Sequence, residues 1–194
     1  MTQAKLRFSS FEEYLAYDDN CDRRYQLIDG ELVELPPESE PNDWMVLHLR
    51  DQLIALISRR LLRLGKCEIQ VPVLQSGDAA NRYPDLVVLR EEHLEMTQKR
   101  LTITLEMPPP QLVAEVISPG KTNRERDLIR KRAQYEAVGI PEYWLIDPIA
   151  QTITVLKLEL NRYIELGIFS GQSQLISTEF PNLQLTAETV FQPE

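Results

Sequence analysis

The sequence predicts an α/β domain with a central mixed sheet flanked by two helices, an antiparallel hairpin ahead of the core and extra strands after it. Three observations carry this. Through the middle of the chain the pattern runs helix, strand, strand, strand, helix, strand, with turn residues between segments. Residues 24–28 and 31–35 are apolar-rich runs around Asp29-Gly30, the strongest short signal for a hairpin. Residues 112–117 are apolar except for Glu115, as in a strand covered on both faces.

Taken in order, Ser9 and Ser10 precede a short helix through Leu15, with Glu12 and Glu13 in its first turn. Pro36 and Pro37 end the hairpin. Asn42 or Asp43 caps a helix expected to run to Leu64, where Gly65 supplies the C-terminal turn. Cys67 to Leu74 and Tyr83 to Leu89 read as strands, residues 90–100 as a short charged helix, and Leu101 to Leu105 as a strand. The Met107-Pro108-Pro109-Pro110 run is a rigid lead-in to the strand that carries Glu115. Thr122-Asn123-Arg124-Glu125 is a capping box opening a helix to Val138, which Gly139 and Pro141 close. That helix has two stripes: Ile129, Ala133 and Ala137 with Leu128 beside them, and Asp127, Lys131 and Tyr135 four residues apart. Residues 142–147 form a strand, and 151–160 with 162–169 a hairpin around Asn161. A final short strand is expected near 174–176.

Length and composition set the bounds. The chain has 194 residues, 43% hydrophobic and 26% charged, which suits one globular domain over 1–194. No apolar run reaches the roughly 18 residues of a membrane span, so no membrane partner is expected. Residues 1–10 lack a signal-peptide core, and Cys21 and Cys67 have no metal-binding spacing, so a cytoplasmic protein with reduced thiols is the expectation. A net charge of −9 argues against a protein that coats itself with nucleic acid, but not against a nuclease whose divalent cation supplies positive charge locally.

Asp85, after Pro84, heads one apolar strand, and Glu115 sits inside another. A buried carboxylate must be paired or bound to a cation. Two such strands side by side would bring both carboxylates together, with a helix lysine, Lys131, completing the constellation for metal-assisted phosphodiester hydrolysis. By residue type alone each has another reading: Asp85 as a strand-edge residue, Glu115 as a partner of an arginine, Lys131 as the surface partner of Asp127. Tyr135 reads as a core or site-wall aromatic, Trp144 as core, Ser118 as a turn residue, and His48 as a surface or hydrogen-bonded histidine near the start of the long helix.

Five segments together resemble a bacterial family of putative restriction endonucleases, a branch of the PD-(D/E)XK nuclease superfamily, over residues 25–191. They are residues 27–34 (LIDGELVE), 84–88 (PDLVV) and 115–119 (EVISP), the Asp127, Lys131, Tyr135 series, and 139–147 (GIPEYWLID). The resemblance implies a restriction-endonuclease-like core and a metal-dependent DNA endonuclease in the cytoplasm. It implies Asp85, Glu115 and Lys131 as catalytic residues, with Asp85 and Glu115 holding Mg²⁺ or Mn²⁺. Glu31, His48, Asp127 and Tyr135 are the candidates for supporting roles. The superfamily pattern puts lysine at 117, where this chain has isoleucine; the branch resembles one in which the lysine has moved to the next helix, at 131. The rival reading is a non-catalytic binding module or inactive nuclease-fold protein, which allows a homodimer.

Overall fold

The computed structural model describes residues 6–17, 23–120 and 124–192. Helix α1 (Phe11–Ala16) is capped by the Ser10 side chain, which accepts from Glu13 N. Strands β1 (Tyr25–Ile28) and β2 (Glu31–Glu34) form the expected hairpin. Its turn needs left-handed backbone at Asp29 (φ 49°) and Gly30 (φ 81°), which Asp-Gly adopts readily.

Helix α2 spans Glu40–Leu53, with Pro41 in its first turn. It differs from the expected Asn42–Leu64 helix at both ends. Neither Asn42 nor Asp43 is the cap; Ser39 holds that place, without a side-chain bond. Nearly the whole C-terminal half, 54–64, is not α-helical. A turn at 54–57 leads to a 3₁₀ turn (Arg59–Leu61) capped by Ser58, and then to strand β3 (Leu62–Leu64). The reason is tertiary: β3 pairs antiparallel with β6 (Leu86–Val88), which turns Leu62 and Leu64 into the core as alternating strand residues. Gly65 extends that ladder, donating its N–H to Asp85 O at 2.9 Å, so it is not a helix C-cap.

Strands β4 (Glu68–Gln70), β5 (Asn81–Arg82) and β7 (Thr102–Ile103) are shorter than the apolar runs suggested and form a separate three-stranded sheet, in the order β5-β4-β7. Helix α3 (His93–Met96) lies between β6 and β7. Strand β8 (Leu112–Val116) leads to the second long helix, whose capping box at Thr122 and Asn123 lies outside the described residues. Residues 126–131 form a π-helical turn, which continues as α4 (Arg132–Val138) and ends at Gly139 in the left-handed conformation (φ 86°). Of the two stripes on this helix, the polar one faces the sheet: Asp127, Lys131, Gln134 and Tyr135 are buried, whereas Ile129 is 62% exposed.

Strand β9 (Glu142–Asp147) runs parallel to β8, and β10 (Thr152–Glu159) and β11 (Arg162–Ser170) complete a six-stranded mixed sheet, in the order β11-β10-β9-β8-β6-β3. The expected strand at 174–176 is a single bridge, Gln174 to Thr186. The segment after it is pinned by the buried Glu142, which accepts from Ser177 Oγ, Thr178 N and Trp144 Nε1. Helix α5 (Ala187–Phe191), capped by Thr186, was not anticipated. One face of the large sheet packs on α2 and α5, and the other on α4 and the three-stranded sheet. Gln134 locks α4 to the small sheet by donating to Pro72 O and Ala79 O while accepting from Arg82 Nε. No helix among the described residues is long and apolar enough to cross a membrane.

Candidate active site

Leu86 pairs with Ala114, so continuing the antiparallel register sets Asp85 opposite Glu115 on the face toward α4. Asp85 is held at both ends of the residue. Its carbonyl accepts from Gly65 N, and its Oδ2 accepts from Val116 N at 2.7 Å. Its Oδ1 accepts no hydrogen bond from the described residues, and the side chain lines an open cleft.

Glu115 is buried, and each of its oxygens accepts one internal donor. Lys131 Nζ lies 2.7 Å from Oε2, and the Tyr135 hydroxyl donates to Oε1 at 2.6 Å. Lys131 also lies 3.0 Å from Asp127 Oδ1, and Arg126 reaches the same carboxylate at 3.0 Å through Nε. Ser118 N donates to Asp127 Oδ2. The π turn matters here. It contains both Asp127 and Lys131, which as an i,i+4 pair face the strand ends together, and such turns recur at functional sites.

The charges alternate from Arg126 through Asp127 and Lys131 to Glu115, and Asp85 is the carboxylate left over. Burial pushes the Asp85 carboxyl up to about 8, the Glu115 charge adds to this, and Lys131 and the Val116 N–H offset part of it. Burial likewise raises Glu115, against the pull of Lys131. For Lys131 burial acts downward, but Glu115, Asp127 and Asp85 overcome it and hold the ammonium protonated. Asp127 is lowered: Lys131 and Arg126 outweigh its burial. Burial, reinforced by Glu115, raises Tyr135 well above the usual phenol value, which keeps its hydroxyl a donor.

The donor set fits a hard divalent cation. Among the described residues no three His, Cys, Asp or Glu side chains form a ready-made cage. A Mg²⁺-type ion, however, takes one or two carboxylates and fills its other positions with water and substrate phosphate. Asp85 has an oxygen without a donor, each Glu115 oxygen keeps a further lone pair, and the excess carboxylate charge is what a cation would relieve.

Asp85, Glu115, Lys131, Asp127 and Tyr135 are thus brought together. Trp144 is core and fully buried. Glu31 sits on β2 beside Arg7, at 3.7 Å, and His48 on α2 beside Gln52; neither lines the cleft at Asp85. Sequence reasoning missed Arg126, which feels both Glu115 and Asp85, and the buried Arg82 behind the site. Its only sign was an undifferentiated basic run at 124–132, which periodicity cannot sort into inward and outward residues.

The Uma2 family, described as "Putative restriction endonuclease", matches residues 11–188. The chain belongs to the Uma2 family. The Uma2 match spans every element of the site, from α1 to the start of α5. In structure the chain is similar to "a putative nuclease belonging to DUF820 from Anabaena variabilis ATCC 29413", with a TM-score of 0.66 and 16% identity over 94% of this chain and 97% of that one. At that identity the likeness shows the fold, which is nuclease-like. No curated protein is detectably similar in sequence. Within this Uma2 fold the lysine at the carboxylates comes from the helix, because position 117 is Ile117, buried at 2% exposure in the apolar cluster with Tyr135 and Tyr143.

Proposed function

We propose that the protein is a Mg²⁺- or Mn²⁺-dependent DNA endonuclease that hydrolyses phosphodiester bonds at Asp85, Glu115 and Lys131. The observation that carries this reading is the 2.7 Å contact of Lys131 Nζ with Glu115, at the strand position facing Asp85. Asp85 and Glu115 would hold the cation, which when bound supplies Lewis acidity toward the phosphate and activates water. The chain's own groups do the rest. Lys131 keeps a proton on Nζ beside the carboxylates, where it can orient the attacking water and offset charge developing on the phosphate. Asp127 is a positioning residue that holds the ammonium from its other side. Tyr135 fixes the second oxygen of Glu115. The reading includes a cytoplasmic setting, which the buried free thiol of Cys67 suits.

The test is nicking of supercoiled plasmid by wild type, Asp85→Asn and Lys131→Ala in Mn²⁺ and in chelator. The expected result is metal-dependent cleavage by wild type alone. Equal cleavage by all three proteins would refute the assignment. One observation favours a second reading, a non-catalytic nuclease-fold module: both Glu115 oxygens already carry internal donors. DNA binding without cleavage in any divalent metal would select it.

A further inference from the structure

Asp85 opens into a cleft of about 1090 Å³ between α1 with the 23–25 segment on one side and α2 on the other. The protein carries a net charge of −9, yet the lining is locally cationic. Arg23, Arg24, Lys66, Lys99 and Arg100 contribute five positive charges. Glu38, Asp43 and Asp85 contribute three negative ones. Three of the cations are tied to the scaffold: Arg23 pairs with Glu34 at 3.3 Å, Arg24 donates to Gly65 O, and Arg100 pairs with the buried Glu68 and covers the Tyr14 ring at 4.8 Å. Lys66 and Lys99 are exposed and make no ion pair with the described residues. Between these charges the walls present tyrosines, among them Tyr17, Tyr25 and Tyr83.

We infer that this cleft binds an unpaired DNA strand and leads it past Asp85; the inference rests on the nuclease reading and narrows its substrate. Size is the first argument. The cleft, at about 1090 Å³, lies just above the range for small-ligand pockets, roughly 300–1,000 Å³. A duplex whose major groove alone admits an α-helix is far too wide for it. Chemistry is the second. Cations that follow a backbone, interleaved with aromatic rings, form the platform used for single strands, because a ring can stack only on a base that has left its own stack. A paired duplex offers base edges and phosphates, and the tyrosines would have no part in binding it. Lys66 and Lys99 are the phosphate contacts in this arrangement, and Tyr17, 37% exposed and packed edge-on against Phe8 at 5.3 Å, is a stacking surface.

The experiment is fluorescence anisotropy in chelator, where no cleavage occurs, with a labelled 12-nucleotide DNA strand and the same sequence as a duplex. Wild type is expected to bind the single strand at least tenfold more tightly. Lys66→Ala with Lys99→Ala should weaken that binding and lower its salt slope by about 0.7 per lysine removed. Tyr17→Ala should weaken it by about tenfold. Asp85→Asn should bind at least as tightly as wild type, since asparagine brings no negative charge to the cleft at any pH. Tighter binding of the duplex, or a lysine double variant with unchanged salt slope, would overturn the proposal. Plasmid cleavage that persists in either case would leave the nuclease reading standing.

Discussion

Asp85→Asn should stabilise the protein in the absence of divalent metal, and the gain should grow with pH. The folded protein raises the Asp85 carboxyl to about 8 from an ordinary 3.8. The protonated form is therefore the one that suits the fold. Its contribution is fully present below the unfolded value near 3.8, and stability is lost as pH rises from there through about 8. The gap of about four pKa units sets a ceiling on the order of 5–6 kcal/mol, at about 1.36 kcal/mol per unit. Water in the open cleft screens much of this, so a gain of roughly 1–3 kcal/mol is expected at pH 8.5. For a chain of this length that is a rise in Tm of roughly 3–10 °C. Asparagine keeps an oxygen to accept from Val116 N, so the backbone contact survives. The assay is thermal melting of both proteins in chelator at pH 5 and pH 8.5. Adding Mn²⁺ at 100 times its Kd should then stabilise wild type by about 2.7 kcal/mol and the variant far less. A variant that melts below wild type at pH 8.5, or a difference equal at both pH values, would refute the reasoning.

The remaining predictions are briefer. Glu115→Gln should gain less than Asp85→Asn in the same melts, because relief of the buried charge is offset as the Lys131 ammonium loses one of its two carboxylates while Asp127 remains. Lys131→Ala should abolish plasmid nicking yet retain Mn²⁺ binding by calorimetry, and adding Ile117→Lys to it should restore some cleavage; full activity of Lys131→Ala would return that lysine to a structural role. Gly30→Ala should lower stability by more than about 1 kcal/mol, measured by denaturant titration, because the position has φ 81° and a Cβ there would meet Phe8 O at 2.8 Å.

What could be read from the sequence was whatever local chemistry decides. The Asp-Gly hairpin, the Ser10 cap, the Gly139 terminus and the strand at 142–147 depend on turn and capping residues or on an unbroken apolar run, and all are present. The end of α2 was not legible. Leu56, Ile57, Leu61 and Leu62 continue a helical period, and only pairing with β6 makes the last of these a strand. The inward face of α4 was legible from the spacing of Asp127, Lys131 and Tyr135 but not from hydrophobicity. Hydrophobic periodicity favours Ile129 as the buried stripe, whereas the structure buries four polar residues whose charges and hydrogen bonds satisfy one another. The Glu142 anchor of the C-terminal loop has no local signature, since its loop partners lie 35 to 37 residues away.

The end of α2 and the face of α4 bear differently on function. The misread end of α2 changes only how β3 joins the sheet edge, although it also brings Gly65 and Lys66 to the cleft beside Asp85. The face of α4 bears on the site itself. Ile117 and Glu115 share a strand face, so a lysine at 117 would reach the same carboxylate, but from among apolar side chains that solvate its charge less well than Asp127 does at Lys131, so its rescue is partial. Lys131 meets the same carboxylate from the helix with Asp127 at its other side, so its charge is paired twice. Asp127 and Lys131 point the same way as any helical i,i+4 pair does, and the π turn at 126–131 contains both. Ile117 and the buried Asp127–Lys131–Glu115 chain are therefore one structural solution, and a change at either should be felt at the other.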